Sequence, residues 1–104
     1  MVKRNFKSKK HKEWRKLALK RDGGCVICSE KILKYCNVHH LVPSMFHKYE
    51  FELDNAICLC PNHHTLGKFS AHKNPIWFYE WMLHHRTDQL RIAITRLFNE
   101  NPVR

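Results

Sequence analysis

Nine histidines and five cysteines crowd this chain of 104 residues, far more than packing requires, and their excess asks for metal chemistry. Four of them form two knuckles, Cys25-x-x-Cys28 and Cys60-x-x-His63. Thiolate and imidazole are soft or borderline donors, and two such knuckles let four of them converge tetrahedrally on one zinc ion. A structural Zn2+ on Cys25, Cys28, Cys60 and His63 is therefore expected. Such sites contribute on the order of 10 kcal/mol, enough to decide whether a small domain folds. An odd number of cysteines cannot all pair within one chain, which also favours thiolate ligands over disulfides. Cys36 and Cys58 are left over in apolar surroundings, where a thiol behaves as a small core residue.

A second set lies between and beside the knuckles: His39, His40, Asn55 and His64. Adjacent residues of an extended strand point to opposite sides, so His39 and His40 cannot easily bind one ion together. A histidine of ordinary pKa, about 6.5, is mostly neutral at pH 7 and can accept a proton. His63 and His64 are neighbours on an expected helix, where side chains diverge by about 100° and can turn to two different ions. His72, eight residues beyond His64, is either a third ligand folding back past Gly67 or a nucleic-acid-contacting or solvent-facing side chain. His47, His84 and His85 read as ordinary loop or helix residues.

The formal charge is +10, and it is unevenly spread. Lys3, Arg4, Lys7, Lys9, Lys10, Lys12, Arg15, Lys16, Lys20 and Arg21 face a single acid, Glu13, before Asp22. A polyanion is the expected partner. The segment lacks the broad apolar face of an interfacial helix, which favours nucleic acid over a membrane surface. Lys9, Lys10, Lys12, Arg15 and Lys16 are the candidate phosphate contacts. No apolar run is long enough to span a bilayer, and the basic start lacks the apolar stretch of a secretory signal. A soluble, intracellular protein is expected.

Taken together, Trp14-Arg-Lys, the first knuckle, His39-His40-Leu-Val-Pro43 and Asp54-Asn55-Ala-Ile-Cys-Leu-Cys60-Pro-Asn-His63-His64 resemble the HNH endonucleases, over roughly residues 12–72. The combined pattern is specific, whereas any one piece would be weak. The resemblance implies a metal-dependent nuclease that hydrolyses phosphodiester bonds of DNA, double-stranded in the first instance. It implies His40 as the general base, His39 and His64 as ligands of a catalytic divalent ion (Mg2+, Mn2+, Ni2+ or Zn2+), and Asn55 as the residue bracing the loop behind the base. It also implies a bacterial or phage-encoded setting. Two departures stand out: the second knuckle ends in His63 where many relatives have Cys, and the family's basic residue after the last histidine is shifted to Lys68. The competing reading is a non-catalytic zinc-stabilised DNA-binding module, which would leave His40, Asn55 and His64 without a task.

The elements that must hold these groups follow from periodicity and punctuation. Residues 1–9 form a basic, mobile leader, and 10–104 a single domain. A short helix over 10–21 carries the stripe Trp14, Leu17, Ala18 and stops at Asp22-Gly23-Gly24. Residues 32–42 read as a strand ended by Pro43, 44–54 as a loop with helical character, and 56–60 as the second strand of a hairpin. Pro61 suits the first position of a helix bearing His63 and His64. Asn74-Pro75 opens another, apolar nearly all round, which lies deep or offers Trp77, Phe78 and Trp81 to a protein partner. A last helix over 88–98 carries Leu90, Ala93, Ile94, Leu97 and Phe98 on one side. The expected class is α+β: a small ββα-metal core stapled by one zinc, flanked by N- and C-terminal helices.

Overall fold

The computed structural model describes residues 8–28 and 35–101. Most of the expected leader, 1–7, and the first part of the expected strand, 32–34, lie outside the described residues. Helix α1 runs from Lys9 to Asp22, one residue longer at each end than its periodicity suggests. Ser8 caps it by accepting from the His11 amide at 3.0 Å. Gly23, at φ 69°, closes it by donating to the Leu19 carbonyl, a left-handed position that glycine occupies without steric penalty. Lys9 therefore belongs to the helix and not to the leader.

Strands β1, Asn37–His40, and β2, Ala56–Leu59, pair antiparallel as a two-stranded hairpin with His39 opposite Ile57 and His40 opposite Ala56. Alternation then decides everything on the two faces. Ala56 and Cys58 pack with Trp14 and Ala18 of α1. Ile57 and Leu59 pack with Phe78 and Met82, which belong to helix α2, Pro75–His85. All four residues of β2 are buried, because a helix covers each face of the hairpin. The connection between the strands contains two 3-10 turns, His47–Tyr49 and Leu53–Asn55, matching its expected helical character.

Arginines do much of the joining. Arg15 donates to the Cys36 carbonyl at 3.1 Å, and Arg21 reaches the Leu53 and Ala56 carbonyls at 2.8 and 2.6 Å. The Asp22 carboxylate, buried beside Arg21 and Arg86, accepts from the Cys58 amide at 3.1 Å. Those cations and that amide hold it below the usual carboxylate range against the opposing effect of burial.

Helix α3, Thr87–Glu100, clamps the connection from outside: Arg96 binds the Asp54 carboxylate at 2.6 and 3.2 Å, and Gln89 donates to the Asp54 and Ala56 carbonyls. Asn74 caps α2 by accepting from the Trp77 amide. The even apolar character of α2 suggests deep burial, but only one side of it is covered. Phe78 faces the core and Trp77 and Trp81 pack against it, while Ile76, Tyr79 and Leu83 are exposed. Among the described residues, no helix is long and apolar enough to cross a membrane.

Candidate functional site

The first cluster grows from the turn after α1 and the end of β2. Cys25 and Cys28 follow Gly24, and the Val26 amide donates to the Cys58 carbonyl, which seats the first knuckle against the strand that delivers Cys60. Cys28 Sγ lies 3.7 Å from Cys60 Sγ, and His63 Nδ1 lies 3.3 Å from Cys60 Sγ and 3.8 Å from Cys25 Sγ. A tetrahedral zinc with bonds of about 2.3 Å to sulfur and 2.0 Å to nitrogen needs about 3.8 Å between sulfurs and about 3.5 Å from sulfur to nitrogen. Those three separations are close to that figure, and all four donor atoms lie within 4.8 Å of one another. None of the cysteines forms a disulfide. Burial pushes the Cys25 thiol up, but the backbone amides of Cys28, Cys60 and Ile27 outweigh it and bring its pKa below the ordinary value. A nest of amides around a sulfur stabilises thiolate, the form that binds metal. Cys58 is the contrast. Burial, then Asp22, pushes it up to about 12, so it remains a core thiol.

The second cluster depends on an unexpected turn. In place of the helix expected from Pro61, residues Asn62–Leu66 form a single π-helical turn. The Gly67 amide closes it onto the Asn62 carbonyl at 2.8 Å. Gly67 is extended, so the helix cannot continue. The chain doubles back instead, and the Ala71 and His72 amides donate to the His63 and His64 carbonyls at 2.8 and 3.1 Å. This return brings His72 Nε2 to 3.1 Å from His64 Nε2. His39, on the α2 face of β1, sets its ring 5.2 Å from that of His64 and 5.0 Å from that of His72. One ring nitrogen from each of the three lies within 4.8 Å of the others. Among the described residues, the Cys25/Cys28/Cys60/His63 and His39/His64/His72 groups can each hold a metal ion.

Burial pushes His39 down to about 3, with the neighbouring His64, His72 and His40 adding to the shift. His64 is lowered by burial and then by His72. Imidazoles so placed are neutral at pH 7, with lone pairs available to a cation.

His40 projects from the opposite side of β1. Its ring lies flat on the Trp14 indole, centroids 4.2 Å apart and planes 15° from parallel. His40 Nε2 is 3.1 Å from the Glu50 carbonyl. A carbonyl only accepts, so Nε2 carries the proton and Nδ1 keeps its lone pair. Burial lowers the pKa of His40, opposed by the Glu50 carbonyl and carboxylate. Behind it, the buried Asn55 side chain clasps Val42 twice, accepting from its amide at 2.8 Å and donating to its carbonyl at 3.0 Å. The Leu41 amide donates a further hydrogen bond to the Asn55 carbonyl. A cleft of about 370 Å³ is lined by His39, His40, Pro43, Ser44, His64 and His72, so both histidine sets open onto one space.

Lys9, Lys10, Lys12 and Lys16 are exposed on α1, and Lys9 and Lys10 line a groove with Lys48, Leu17 and Phe51 that shares Trp14 with the His40 stack. Arg15, grouped with them from charge alone, is half-buried and spends a donor on the Cys36 carbonyl. Composition cannot distinguish an inward arginine from an outward one. Trp14 and the Glu50 carbonyl were both missed as partners of His40. Trp14 signals only its apolar period, and a backbone carbonyl leaves no mark in a sequence. His47, His84 and His85 are exposed and belong to neither cluster. The chain matches no protein-family model, no curated protein and no solved structure.

Proposed function

We propose that the chain is a metal-dependent DNA endonuclease of the HNH type, with His40 as general base, and with Cys25, Cys28, Cys60 and His63 holding a structural zinc. The observation that carries this reading is the opening of a tautomerically fixed His40 and the three-histidine group onto one cleft. His40 Nδ1 accepts the proton of a water whose oxygen attacks phosphorus. As that bond forms, the bond from phosphorus to the leaving sugar oxygen breaks, and this oxygen takes a proton from solvent. His39, His64 and His72 would hold a divalent cation, which would supply positive charge to the crowded negative charge of the transition state. Three imidazole donors suit a borderline transition ion better than Mg2+, which prefers oxygen. Asn55 keeps the 41–42 segment closed behind the base, and the lysines of α1 attract the phosphate backbone.

The test is nicking of supercoiled plasmid with Zn2+, Ni2+, Mn2+ or Mg2+ supplied in turn, wild type against His40→Ala. Loss of a general base lowers the rate by about 100-fold or more while zinc content and DNA affinity stay near wild type. Undiminished cleavage by the variant would remove His40 from the role of base, and absence of cleavage by the wild type with all four ions would return the chain to a non-catalytic DNA-binding module.

A further inference from the structure

Helix α1 looks like an outlying basic element, yet it packs a ring against His40, one of the residues that line the cleft. Trp14 is 2% exposed, which an ordinary core tryptophan would also be. Its surroundings differ from those of a core residue in three ways. Its ring meets another ring face to face, and that ring is the His40 imidazole at 4.2 Å. Its Nε1–H donates to the Glu52 carbonyl at 2.8 Å, two residues from the Glu50 carbonyl that receives His40 Nε2. The helix carrying it is tied to the hairpin on both sides, through Arg15 to Cys36 and through Arg21 to Leu53 and Ala56. One short segment, 50–52, thus fixes the edges of both rings, and each ring fixes the face of the other.

We propose that Trp14 is a positioning residue for the reaction: its indole face and its tether to Glu52 hold the His40 imidazole at the angle where Nε2 bonds Glu50 and Nδ1 keeps its lone pair for a proton. The inference rests on His40 acting as the base. An imidazole pinned at one edge alone can still swing about that hydrogen bond, and a second constraint perpendicular to the ring removes this freedom. Reaction rates are sensitive to such freedom, since a displacement of about 1 Å can lower them by about 100-fold. The indole face also favours the imidazolium that exists once the proton has moved. An aliphatic side chain of similar size would fill the space and supply neither effect.

The experiment compares Trp14→Phe and Trp14→Leu with wild type and with His40→Ala in the plasmid assay, recording kcat and KM separately with zinc content and melting temperature. Trp14→Phe keeps a ring face and is expected to retain kcat within about threefold. Trp14→Leu is expected to lower kcat by about 10- to 100-fold with KM and zinc content unchanged. Equal kcat in the Phe and Leu variants, or a loss that appears in KM and melting temperature only, overturns the proposal. A second measurement needs no variant: nitrogen-15 shifts of the His40 ring in the zinc-loaded wild type should report a single Nε2–H tautomer. A rapidly exchanging mixture overturns it even if Trp14→Leu does not fold. If His40→Ala cleaves like wild type, the base assignment fails instead, and the two failures are told apart by that arm alone.

Discussion

At the residue scale, the chain separates neighbours that composition treats as equivalent. His63 and His64 are adjacent, yet one ring nitrogen lies 3.3 Å from Cys60 Sγ and the other 3.1 Å from His72 Nε2. Their substitutions should fail differently. His63→Ala removes one of four zinc donors, so zinc affinity and melting temperature should both fall. His64→Ala should keep zinc and the thermal transition but lose metal-dependent cleavage; metal analysis, melting and plasmid nicking on both variants read the difference, and the reverse pattern would exchange the two roles. His39 makes a separate prediction about pH. Its folded pKa, about 3, lies below the unfolded value of about 6.5. Between those values the unfolded chain holds the extra proton, so folding is favoured as pH rises. The contribution of His39 is thus fully present above about pH 6.5 and is lost as pH falls toward 3. Urea midpoints of protein carrying only the structural zinc should drop between pH 7 and pH 5, and drop less in His39→Gln. Parallel pH profiles for the two proteins would show that His39 is not the group responsible.

At the element scale, the π-helical turn at Asn62–Leu66 is what lets one short segment serve two clusters. Its closure depends on Gly67, where an added Cβ would lie 2.5 Å from Asn62 Oδ1 and 2.8 Å from the Asn62 carbonyl oxygen. The side chain can move, whereas the carbonyl is the acceptor that closes the turn. Gly67→Ala should therefore destabilise by about 1–3 kcal/mol and weaken second-metal binding more than zinc binding, because His72 reaches the cluster only through the return that follows. Calorimetric titration of Ni2+ into zinc-loaded protein checks this, and unchanged affinity would show the return to be held by other contacts. The same turn marks where sequence reasoning stops. The knuckles are legible because ligand spacing is a local property, and the divergence of His39 and His40 is legible because strand alternation is local too. Pro61 and two histidines say only that a helix starts. That it closes one residue wide and ends at once depends on an amide at 67 and on Ala71 and His72 capping carbonyls several residues earlier. The Trp14–His40 stack escapes for a similar reason, since it joins a helix to a strand across a segment whose course no periodicity records.

At the scale of the whole molecule, the charge that seems merely excessive is sorted by position. Among the described residues, Asp22 pairs with Arg21 and Arg86 and Asp54 with Arg96, while Glu100 meets Lys48 and Glu50 meets His47 at the surface. Arginine is used where a planar fork can reach carbonyls or carboxylates, as at Arg15, Arg21 and Arg96. Lysine is left outside, at Lys9, Lys10, Lys12 and Lys16 on α1. That division predicts two kinds of basic residue with different signatures. Exposed lysines that contact phosphates release counterions on binding, and each contributes about 0.9 to the slope of log affinity against log salt. Replacing all four with Gln should therefore flatten that slope by up to about 3 or 4, weaken binding to every sequence alike, and leave the melting temperature near wild type. Arg15→Gln should do the opposite, lowering the melting temperature through its lost bond to Cys36 while changing the salt slope little. Fluorescence anisotropy on a labelled duplex at several salt concentrations, beside thermal melts, measures both. A four-lysine variant with the wild-type slope would mean that the lysines of α1 make no phosphate contacts and that the duplex bound in the assay sits on another face of the molecule.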